Sequence, residues 1–197
     1  MSLFNNIAGV DEVGRGCLAG PVFAAAVILK NNIDITNIKD SKKIPFKKRI
    51  LISKYIKKNS IYAVGIASVG EIDKINILNA SLLAMQRALN KLKLKPSIAY
   101  IDGIFSPKNI NIKCKNFIKG DEKIVCISAA SIVAKVSRDL FMMKLSKKYP
   151  KYKWDQNFGY GTKSHLYGLK KYGITKHHRR KFKPVHNMLM LNKRETQ

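Results

Sequence analysis

Short apolar runs that end in carboxylates place the strongest constraint on how this chain can fold. Ile7–Asp11 is one such run, with Glu12 and a glycine-bracketed arginine directly after it, and Ile98–Asp102 is a second, followed by a glycine. Apolar runs of about four to eight residues bounded by glycine are typical of β-strands. Because functional sites gather at the carboxyl ends of strands in sheets that helices cover, these strands are predicted to bring acids together.

The remaining apolar patterns predict a sheet covered by helices. The predicted strands are Ile7–Asp11, Val22–Leu29, Ile61–Val69, Ile98–Asp102 and Asn111–Ile118, the first three as antiparallel neighbours. The predicted helices are Pro45–Lys58, the stripe of Leu78, Leu82, Met85, Leu89 and Leu92, which ends before Pro96, and Lys123–Lys147. The order β-β-β-α-β-β-α, with one helix inserted after the second strand, indicates an α/β architecture with a mixed sheet.

Length and composition predict one domain. The 197 residues suffice for one sizeable core and contain no linker-like stretch, so we expect a single domain over 1–197, with a basic helical and loop extension over about 151–197. Three cysteines without C-x-x-C spacing suggest neither a disulfide framework nor a zinc site, which favours a cytoplasmic location. The longest apolar run, Val22–Leu29, is far shorter than the roughly 20 residues of a membrane span, so we expect no membrane partner.

The charge of the chain favours a polyanionic partner. The 38 Lys and Arg residues exceed the 12 Asp and Glu residues and give a formal net charge of +26. Such a field attracts nucleic acid. Of the 38 cations, 31 are Lys, and the chain is rich in Ile and Asn, so AT-rich coding DNA is an alternative explanation. The scarcity of acids makes each remaining carboxylate more informative.

Four acids lie at or near the end of an apolar run and close to a glycine: Asp11, Glu12, Asp102 and Asp121. Carboxylate oxygens are the ligands of Mg²⁺ and Mn²⁺, and four suffice for two ions about 3.5 to 4 Å apart. Each acid could instead serve a turn or a helix N-cap, but the set favours a metal site. Because neighbouring strand residues point to opposite faces, we expect a turn beginning at Val13 to swing Glu12 toward the side of Asp11.

Asp139 competes with Asp121 for the fourth position. In one continuous helix these residues would lie roughly 27 Å apart and could not share a metal ion. We favour Asp121, because it follows Gly120 at the start of the element. Asp139 lies four residues after Lys135 and beside Arg138, a pattern typical of an ion pair on a helix surface.

Several separated motifs, taken together, resemble the ribonuclease HII family in the family's order. They are Asp11–Gly16, Asp40–Lys43, Ile101–Gly103, Lys119–Asp121, Ser128–Ile132 with Ala134–Val136 and Arg138–Asp139, Gly159–Thr162, and His177–Arg180. The resemblance covers roughly residues 7–189 and implies an RNase H-like fold: a mixed five-stranded sheet flanked by helices, with a basic helical C-terminal segment.

The resemblance also implies a function. The expected enzyme is a metal-dependent type 2 ribonuclease H that cuts the RNA strand of RNA/DNA hybrids and single ribonucleotides in duplex DNA, leaving 3′-hydroxyl and 5′-phosphate ends. Asp11, Glu12, Asp102 and Asp121 become the catalytic acids that bind two divalent cations, Mn²⁺ or Mg²⁺. We expect the protein to act as a monomer.

Substrate contacts follow from the same resemblance. Gly14, Arg15 and Gly16 would contact the ribose and its phosphates, and Tyr160 would stack on the following deoxyribose. An ordinary surface tyrosine is the alternative for Tyr160. The remaining contacts would go to phosphates: Ser41, Lys42 and Lys43, and the cluster 176–181 with Arg179 and Arg180, where His177 and His178 are expected in a phosphate-facing loop.

Two other classes of protein remain open at this stage. A non-catalytic basic module that binds RNA or the ribosome would explain the charge, but it gains nothing from acids placed against a phosphate backbone. Another two-metal nuclease of the same fold, such as a junction resolvase, would explain the acids but not the Gly14–Gly16 turn and Tyr160. Because no further substrate-binding domain precedes Phe4, we expect ribonuclease HII over the sister type, ribonuclease HIII.

Overall fold

A computed structural model describes residues 6–39 and 45–194 of the chain. Its described part contains a five-stranded sheet with the strand order β3-β2-β1-β4-β5. The strands are β1 Ile7–Val13, β2 Val22–Leu29, β3 Ser60–Ala67, β4 Ile98–Asp102 and β5 Lys113–Phe117. β1 runs antiparallel to β2 and parallel to β4, which is parallel to β5. The predicted mixed five-stranded sheet and α/β class are confirmed.

Helices account for most of the remaining chain. They are α1 Thr36–Lys39, α2 Phe46–Lys58, α3 Val69–Asn90, α4 Gly120–Lys123, α5 Val125–Lys148, α6 Trp154–Asn157, α7 Lys163–Tyr172 and α8 Lys183–Arg194, with a 3₁₀ turn at Pro150–Tyr152. The predicted helices correspond to α2, to the second part of α3 and to α5. Across the described ranges, every helix is too short or too polar to cross a membrane.

α3 begins nine residues before the predicted leucine stripe. Ser68 and Glu71 form a reciprocal cap, in which the Ser68 amide donates to Glu71 Oε2 (2.8 Å) and the Glu71 amide donates to Ser68 Oγ (3.2 Å). The helix is kinked at Asn76, which has φ 66° and whose side chain accepts a hydrogen bond from the Asn79 amide. The earlier start follows from a capping box that the stripe does not include.

The chain divides into two compact units, each with its own apolar clusters. The first, here called the sheet unit, comprises the residues up to Val13, Phe23–Ile66 and Ser81–Ser137. The second, here called the loop unit, comprises Gly14–Val22, Ala67–Ala80 and the residues from Arg138 onward.

In the sheet unit, small residues let α5 lie directly against the sheet. One buried cluster contains Ala25, Val27, Ile38, Ile52, Ile56, Ala129, Ala130, Ile132, Val133, Ala134 and Val136. A side chain at Gly9 of β1 would overlap the backbone of Cys126 in α5, so only glycine permits this approach. The close packing fixes the face of β1 that carries its acid.

Two smaller clusters lie in the described part of the loop unit. Met142, Tyr152 and Trp154 bury one side of it around Ala19, and a second cluster gathers Leu18, Leu169 and Val185. Both clusters include a residue of the Gly14–Pro21 segment. The segment is therefore anchored at Leu18 and Ala19, whereas Arg15 and Gly16 are exposed.

Candidate active site

Asp11 lies on the face of β1 that packs against α5. It is two residues beyond Gly9, so the two residues share one face of the strand. Its side chain is buried, Oδ1 accepts a hydrogen bond from the Glu12 amide (2.7 Å), and its carboxylate also accepts one from the side chain of Ser131 in α5. The seryl hydroxyl and the backbone amide hold the carboxylate in one orientation.

Strand register brings Asp102 beside Asp11. In the parallel pair of β1 and β4, Val10 lies opposite Ile101, so Asp11 and Asp102 occupy the next positions of two adjacent strands. Neighbouring strands lie about 4.8 Å apart, and residues in register share a face. Asp102 Oδ1 also accepts a hydrogen bond from the Gly120 amide (2.7 Å), which ties the end of β4 to the start of α4.

Asp121 follows Gly120 directly and is half-buried in the first turn of α4. α4 ends at Lys123 and α5 begins at Val125, so the continuous helix assumed in the sequence argument is interrupted. Asp102, at the end of β4, accepts a hydrogen bond from the Gly120 amide, and Asp121 is the next residue along the chain. Asp121 therefore lies close to the end of β4. This is the fourth acid of the predicted set.

Negative charge is concentrated around Asp11. Burial raises the pKa of Asp11 well above its ordinary value, the charge of Glu12 raises it further, and the charge of Asp102 adds to the effect. A buried carboxylate next to two others is stabilised in its ionised form by a cation. Asp11, Glu12 and Asp102 therefore act as one electrostatic group.

The route by which Glu12 joins this group differs from the prediction. β1 stays extended through Val13, and its pairing with β2 continues to the Val13–Phe23 pair. The expectation that a turn would swing Glu12 back was wrong. Glu12 acts on Asp11 as its immediate neighbour in an extended strand.

The donor chemistry of the acids fits hard divalent cations. In residues 6–39 and 45–194, no three or more Asp, Glu, His or Cys side chains are arranged so that they could hold a metal ion by themselves. The fit rests instead on oxygen donors and on the mutual repulsion around Asp11, which a divalent cation would relieve.

The Gly14–Pro21 loop is held by a buried arginine of the loop unit. Arg179 is fully buried, and its guanidinium donates to the carbonyl oxygens of Gly14 (2.6 Å), Arg15 (2.7 Å) and Gly20 (3.0 Å). Burial lowers its pKa to about 10. The structure therefore gives Arg179 a different role from the direct phosphate contact that the sequence suggested: it supports the loop from within.

A second buried arginine, which the sequence analysis did not assign to the site, supports the same loop. Arg138 donates to the carbonyl oxygens of Pro21 (3.0 Å), Ala19 (3.1 Å) and Phe158 (2.8 Å). A side chain at Gly14, whose φ is 92°, would overlap the Arg138 guanidinium. Arg138 belongs to the Arg138–Asp139 pair of the family motif, and this pair was the feature of the sequence that pointed to it. A charged residue in a helix does not by itself indicate burial.

These contacts set the orientation of the peptide groups in the turn. The carbonyls of Gly14 and Arg15 point toward Arg179, and a trans peptide points its N–H opposite to its C=O. The amides of Arg15 and Gly16 therefore point away from Arg179, at two residues that are exposed. Oriented amides at an exposed glycine turn suit a sugar-phosphate backbone.

Tyr160 stands on a loop that hydrogen bonds fix. The residue is 38% exposed, its amide donates to the Asn157 carbonyl (2.8 Å), and its carbonyl lies 2.9 Å from His165 Nδ1. Its hydroxyl contacts Cys17, and burial raises its pKa. Gly159, which precedes Tyr160, has φ 87°, a backbone conformation that favours glycine.

Other predicted residues have mixed outcomes. Arg180 is exposed, with its amide bound to Asp73 Oδ2 (3.2 Å), so its side chain remains available for a phosphate.

His178 is 1% exposed, which contradicts the predicted phosphate-facing position. Asp139 is also 1% exposed, so the predicted surface ion pair was wrong. Ser41, Lys42 and Lys43 lie outside the described residues.

Comparison with known proteins defines first the fold and then the family. A mixed five-stranded sheet flanked by helices, with acids at the ends of β1 and β4, is the RNase H-like form of the α/β class. The ribonuclease H2 of Pyrococcus horikoshii OT3 superposes with a TM-score of 0.80 at 28% identity, covering 95% of this chain and 98% of that protein.

The sequence comparisons agree with the fold. The family model for ribonuclease HII matches residues 8–185. The ribonuclease HII of Pelagibacter ubique is 61% identical over 183 residues, covering 93% of this chain and 98% of the relative, and that of Neisseria meningitidis serogroup B is 48% identical over 92% of this chain and 94% of the relative. The chain belongs to the ribonuclease HII family of type 2 ribonucleases H, metal-dependent endonucleases that act on RNA/DNA substrates.

Proposed function

We propose that this protein cuts the RNA strand of RNA/DNA hybrids and single ribonucleotides embedded in duplex DNA, with two divalent cations bound by Asp11, Glu12, Asp102 and Asp121. The observation that carries the proposal is the concentration of negative charge at Asp11 in a chain with a net charge of +26. A protein that only binds a polyanion has no use for buried acids that repel one another.

In this mechanism the chain supplies a fixed set of oxygen donors. Ser131 and the Glu12 amide orient the Asp11 carboxylate, and the Gly120 amide orients that of Asp102. The bound divalent cations would activate water and stabilise charge on the scissile phosphate. The water oxygen attacks phosphorus and the bond to the 3′ oxygen breaks, which leaves a 3′-hydroxyl and a 5′-phosphate.

Substrate recognition is assigned to the loop unit. The outward amides of Arg15 and Gly16 would approach the ribose and its phosphates, where the 2′-hydroxyl distinguishes RNA from DNA. Tyr160 would stack on the deoxyribose that follows the ribonucleotide. The exposed side chain of Arg180, together with Ser41, Lys42 and Lys43, would contact phosphates without reading sequence.

One assay tests the proposal directly. A DNA duplex with one embedded ribonucleotide, labelled at its 5′ end, is incubated with the protein in Mg²⁺, in Mn²⁺ and in EDTA, and the product ends are identified by phosphatase treatment and polymerase extension. We expect a single cut on the 5′ side of the ribonucleotide, only with metal, that leaves an extendable 3′-hydroxyl. A cut with EDTA present, or no cut on this duplex while a continuous hybrid is cleaved, would contradict it.

The proposal includes a cytoplasmic monomer. The three cysteines form no disulfide in the part of the chain that the structure describes, which supports a reducing compartment. Sedimentation equilibrium of the full chain is expected to give the 22.2 kDa of one copy. A mass of about twice that value would contradict the monomer without affecting the proposed activity.

A further inference from the structure

Two histidines of the loop unit are buried in a chain of directed hydrogen bonds. His165 and His178 are 0% and 1% exposed, and their Nε2 atoms lie 3.2 Å apart. The ring nitrogens of buried histidines usually form hydrogen bonds with neighbouring groups. The partners of these two rings determine which nitrogen carries each proton.

The state of His165 follows from Trp154. The indole Nε1 of Trp154 lies 3.0 Å from His165 Nε2, and an indole N–H can only donate. His165 Nε2 is therefore an acceptor without a proton, and the proton of the neutral ring is on Nδ1. His165 Nδ1 then donates to the carbonyl oxygen of Tyr160 at 2.9 Å.

The state of His178 follows in the same way from Thr175. The Thr175 amide donates to His178 Nδ1 at 2.9 Å, so that nitrogen is an acceptor and the proton of the ring is on Nε2. His178 Nε2 thus donates toward His165 Nε2, whose single lone pair is shared with the Trp154 N–H. Burial lowers the pKa of both rings, that of His178 to about 3, which agrees with two neutral histidines.

The chain ends on the peptide that carries Tyr160. Asn157 fixes the other side of that loop, because its carbonyl accepts from the Tyr160 amide and its side chain accepts from the Gly159 amide (2.9 Å). The Gly159 carbonyl accepts from the amides of Leu18 (2.8 Å) and Ala19 (3.3 Å). The Tyr160 loop is thereby linked to the Gly14–Pro21 loop within one unit.

We propose that His165 and His178 are positioning residues that set the direction of Tyr160: the chain from Thr175 through His178 and His165 to the Tyr160 carbonyl fixes the peptide from which the ring projects. The inference rests on the proposed role of Tyr160 at the junction between ribonucleotide and deoxyribonucleotide. Neither histidine contacts substrate in this role, and neither transfers a proton to it.

Two variants of His165 separate its two nitrogens. In His165→Asn the amide replaces the Nδ1 side of the ring and can still donate to the Tyr160 carbonyl. In His165→Gln the amide replaces the Nε2 side, so the contact with Trp154 is retained and the contact with Tyr160 is lost. The measurement is kcat and KM on a duplex with one embedded ribonucleotide and on a continuous RNA/DNA hybrid.

We expect His165→Gln to lower kcat on the embedded ribonucleotide on the order of tenfold, with a loss on the hybrid of less than about threefold, because a small misplacement of an orienting group acts on geometry and not on general affinity. His165→Asn should retain most of the wild-type ratio between the two substrates. His186→Gln, a change at an exposed histidine of α8, is the matched control and should leave the ratio unchanged. Equal losses on both substrates in the Gln variant, or an equal effect of the Asn variant, would overturn the inference.

Tyr160→Ala distinguishes failure of the inference from failure of the proposed function. If Tyr160→Ala lowers the ratio and His165→Gln does not, the positioning role is wrong and the role of Tyr160 stands. If Tyr160→Ala leaves the ratio unchanged, the role of Tyr160 is wrong and the inference falls with it. A ratio lowered by both variants supports both statements.

Imidazole ¹⁵N spectra of the unmodified protein keep the inference testable if a variant does not fold. The expected signature is a neutral Nδ1–H ring at His165 and a neutral Nε2–H ring at His178, each assigned by the disappearance of its signals in one variant. The opposite proton placement at His165, a neutral Nε2–H ring, would show that Nδ1 does not donate to the Tyr160 carbonyl and would overturn the inference.

Discussion

The sheet unit and the loop unit hold their candidate functional residues in opposite ways. In the sheet unit, the acids repel one another: Asp11 is buried with a raised pKa beside Glu12 and Asp102. In the loop unit, two buried arginines donate hydrogen bonds to five backbone carbonyls of the Gly14–Pro21 loop. The sheet unit concentrates negative charge that a divalent cation would neutralise. The hydrogen bonds of the loop unit fix the backbone conformation of its loop.

The difference predicts how each region responds to substitution. Removing a charge from the sheet unit should abolish chemistry while it leaves or raises stability, because the acids are unfavourable to the fold by themselves. Removing a side chain that supports the loop unit should reduce stability and recognition together, because buried carbonyls lose their donors.

The largest expected effect is on catalysis through the acids. Asp102→Asn and Asp121→Asn should each lower kcat by roughly 10²-fold or more, since the amide retains the shape but not the charge that a divalent cation needs. Binding of the hybrid in EDTA should persist or tighten. Glu122→Gln, at the exposed neighbour of Asp121 in α4, is the control. Wild-type rates in both Asn variants would remove the metal site from the sheet unit.

The next effect concerns the buried arginine of the loop unit. Arg179→Met leaves three carbonyls without their donor and should reduce the free energy of unfolding on the order of 3 kcal/mol or more. Arg179→Lys retains the positive charge but lacks the forked N–H donors of the guanidinium, so most of the loss in the free energy of unfolding should remain. Arg180→Met, at an exposed position, should change stability by less than about 0.5 kcal/mol and weaken substrate binding modestly. Urea unfolding of the three variants makes the comparison. If Arg180→Met proves as destabilising as Arg179→Met, the supporting role of Arg179 is wrong.

A smaller effect separates the two glycines of the turn. Alanine at Gly14 meets a φ of 92° and the Arg138 guanidinium, so Gly14→Ala should lose about 2 kcal/mol of stability. Nothing lies within 4 Å of a Cβ at Gly16, so Gly16→Ala should fold normally and raise KM, because the methyl group would stand between the backbone and the sugar. Thermal melts and kinetics check both. An unchanged KM in Gly16→Ala would show that the substrate does not approach this glycine closely.

The smallest effect is on stability through Asp11, and it depends on pH. The folded state raises the pKa of Asp11, so it binds the proton more tightly than the unfolded chain. Stability of the metal-free protein is therefore fully present below the ordinary carboxyl pKa and is lost as the pH rises through the raised value. Asp11→Asn has no carboxyl group at this position to ionise, so it should melt several degrees higher than the wild type near pH 8 in EDTA. The difference in melting temperature should disappear toward about pH 4.

Metal provides the matching control for Asp11. Excess Mg²⁺ should raise the melting temperature of the wild type, because a ligand that binds the folded state stabilises it, and should have much less effect on Asp11→Asn. A variant that melts below the wild type at every pH would show that Asp11 is not under electrostatic strain.

The secondary structure and the acids could be read from the sequence because both depend on local patterns. β2 has the predicted bounds, and β4 likewise, since an apolar run with a polar stop is a local signal. The leucine stripe predicts only the second part of α3, because the capping box of Ser68 and Glu71 that starts the helix lies outside the stripe. The orientation of Glu12 was missed because backbone pairing with β2 keeps the strand extended, and pairing is not local.

The sequence by itself determined the mixed sheet, the acids at its strand ends and the family motifs, since each is carried by residue type and spacing. Only the tertiary structure decided that Arg138 and Arg179 face inward, that His165 and His178 are buried, and that Asp139 is not a surface residue. The two arginines can be buried because backbone carbonyls far away in the chain accept their hydrogen bonds. Those partners lie up to 165 positions away in the chain, as Gly14 does from Arg179, and no local pattern records them.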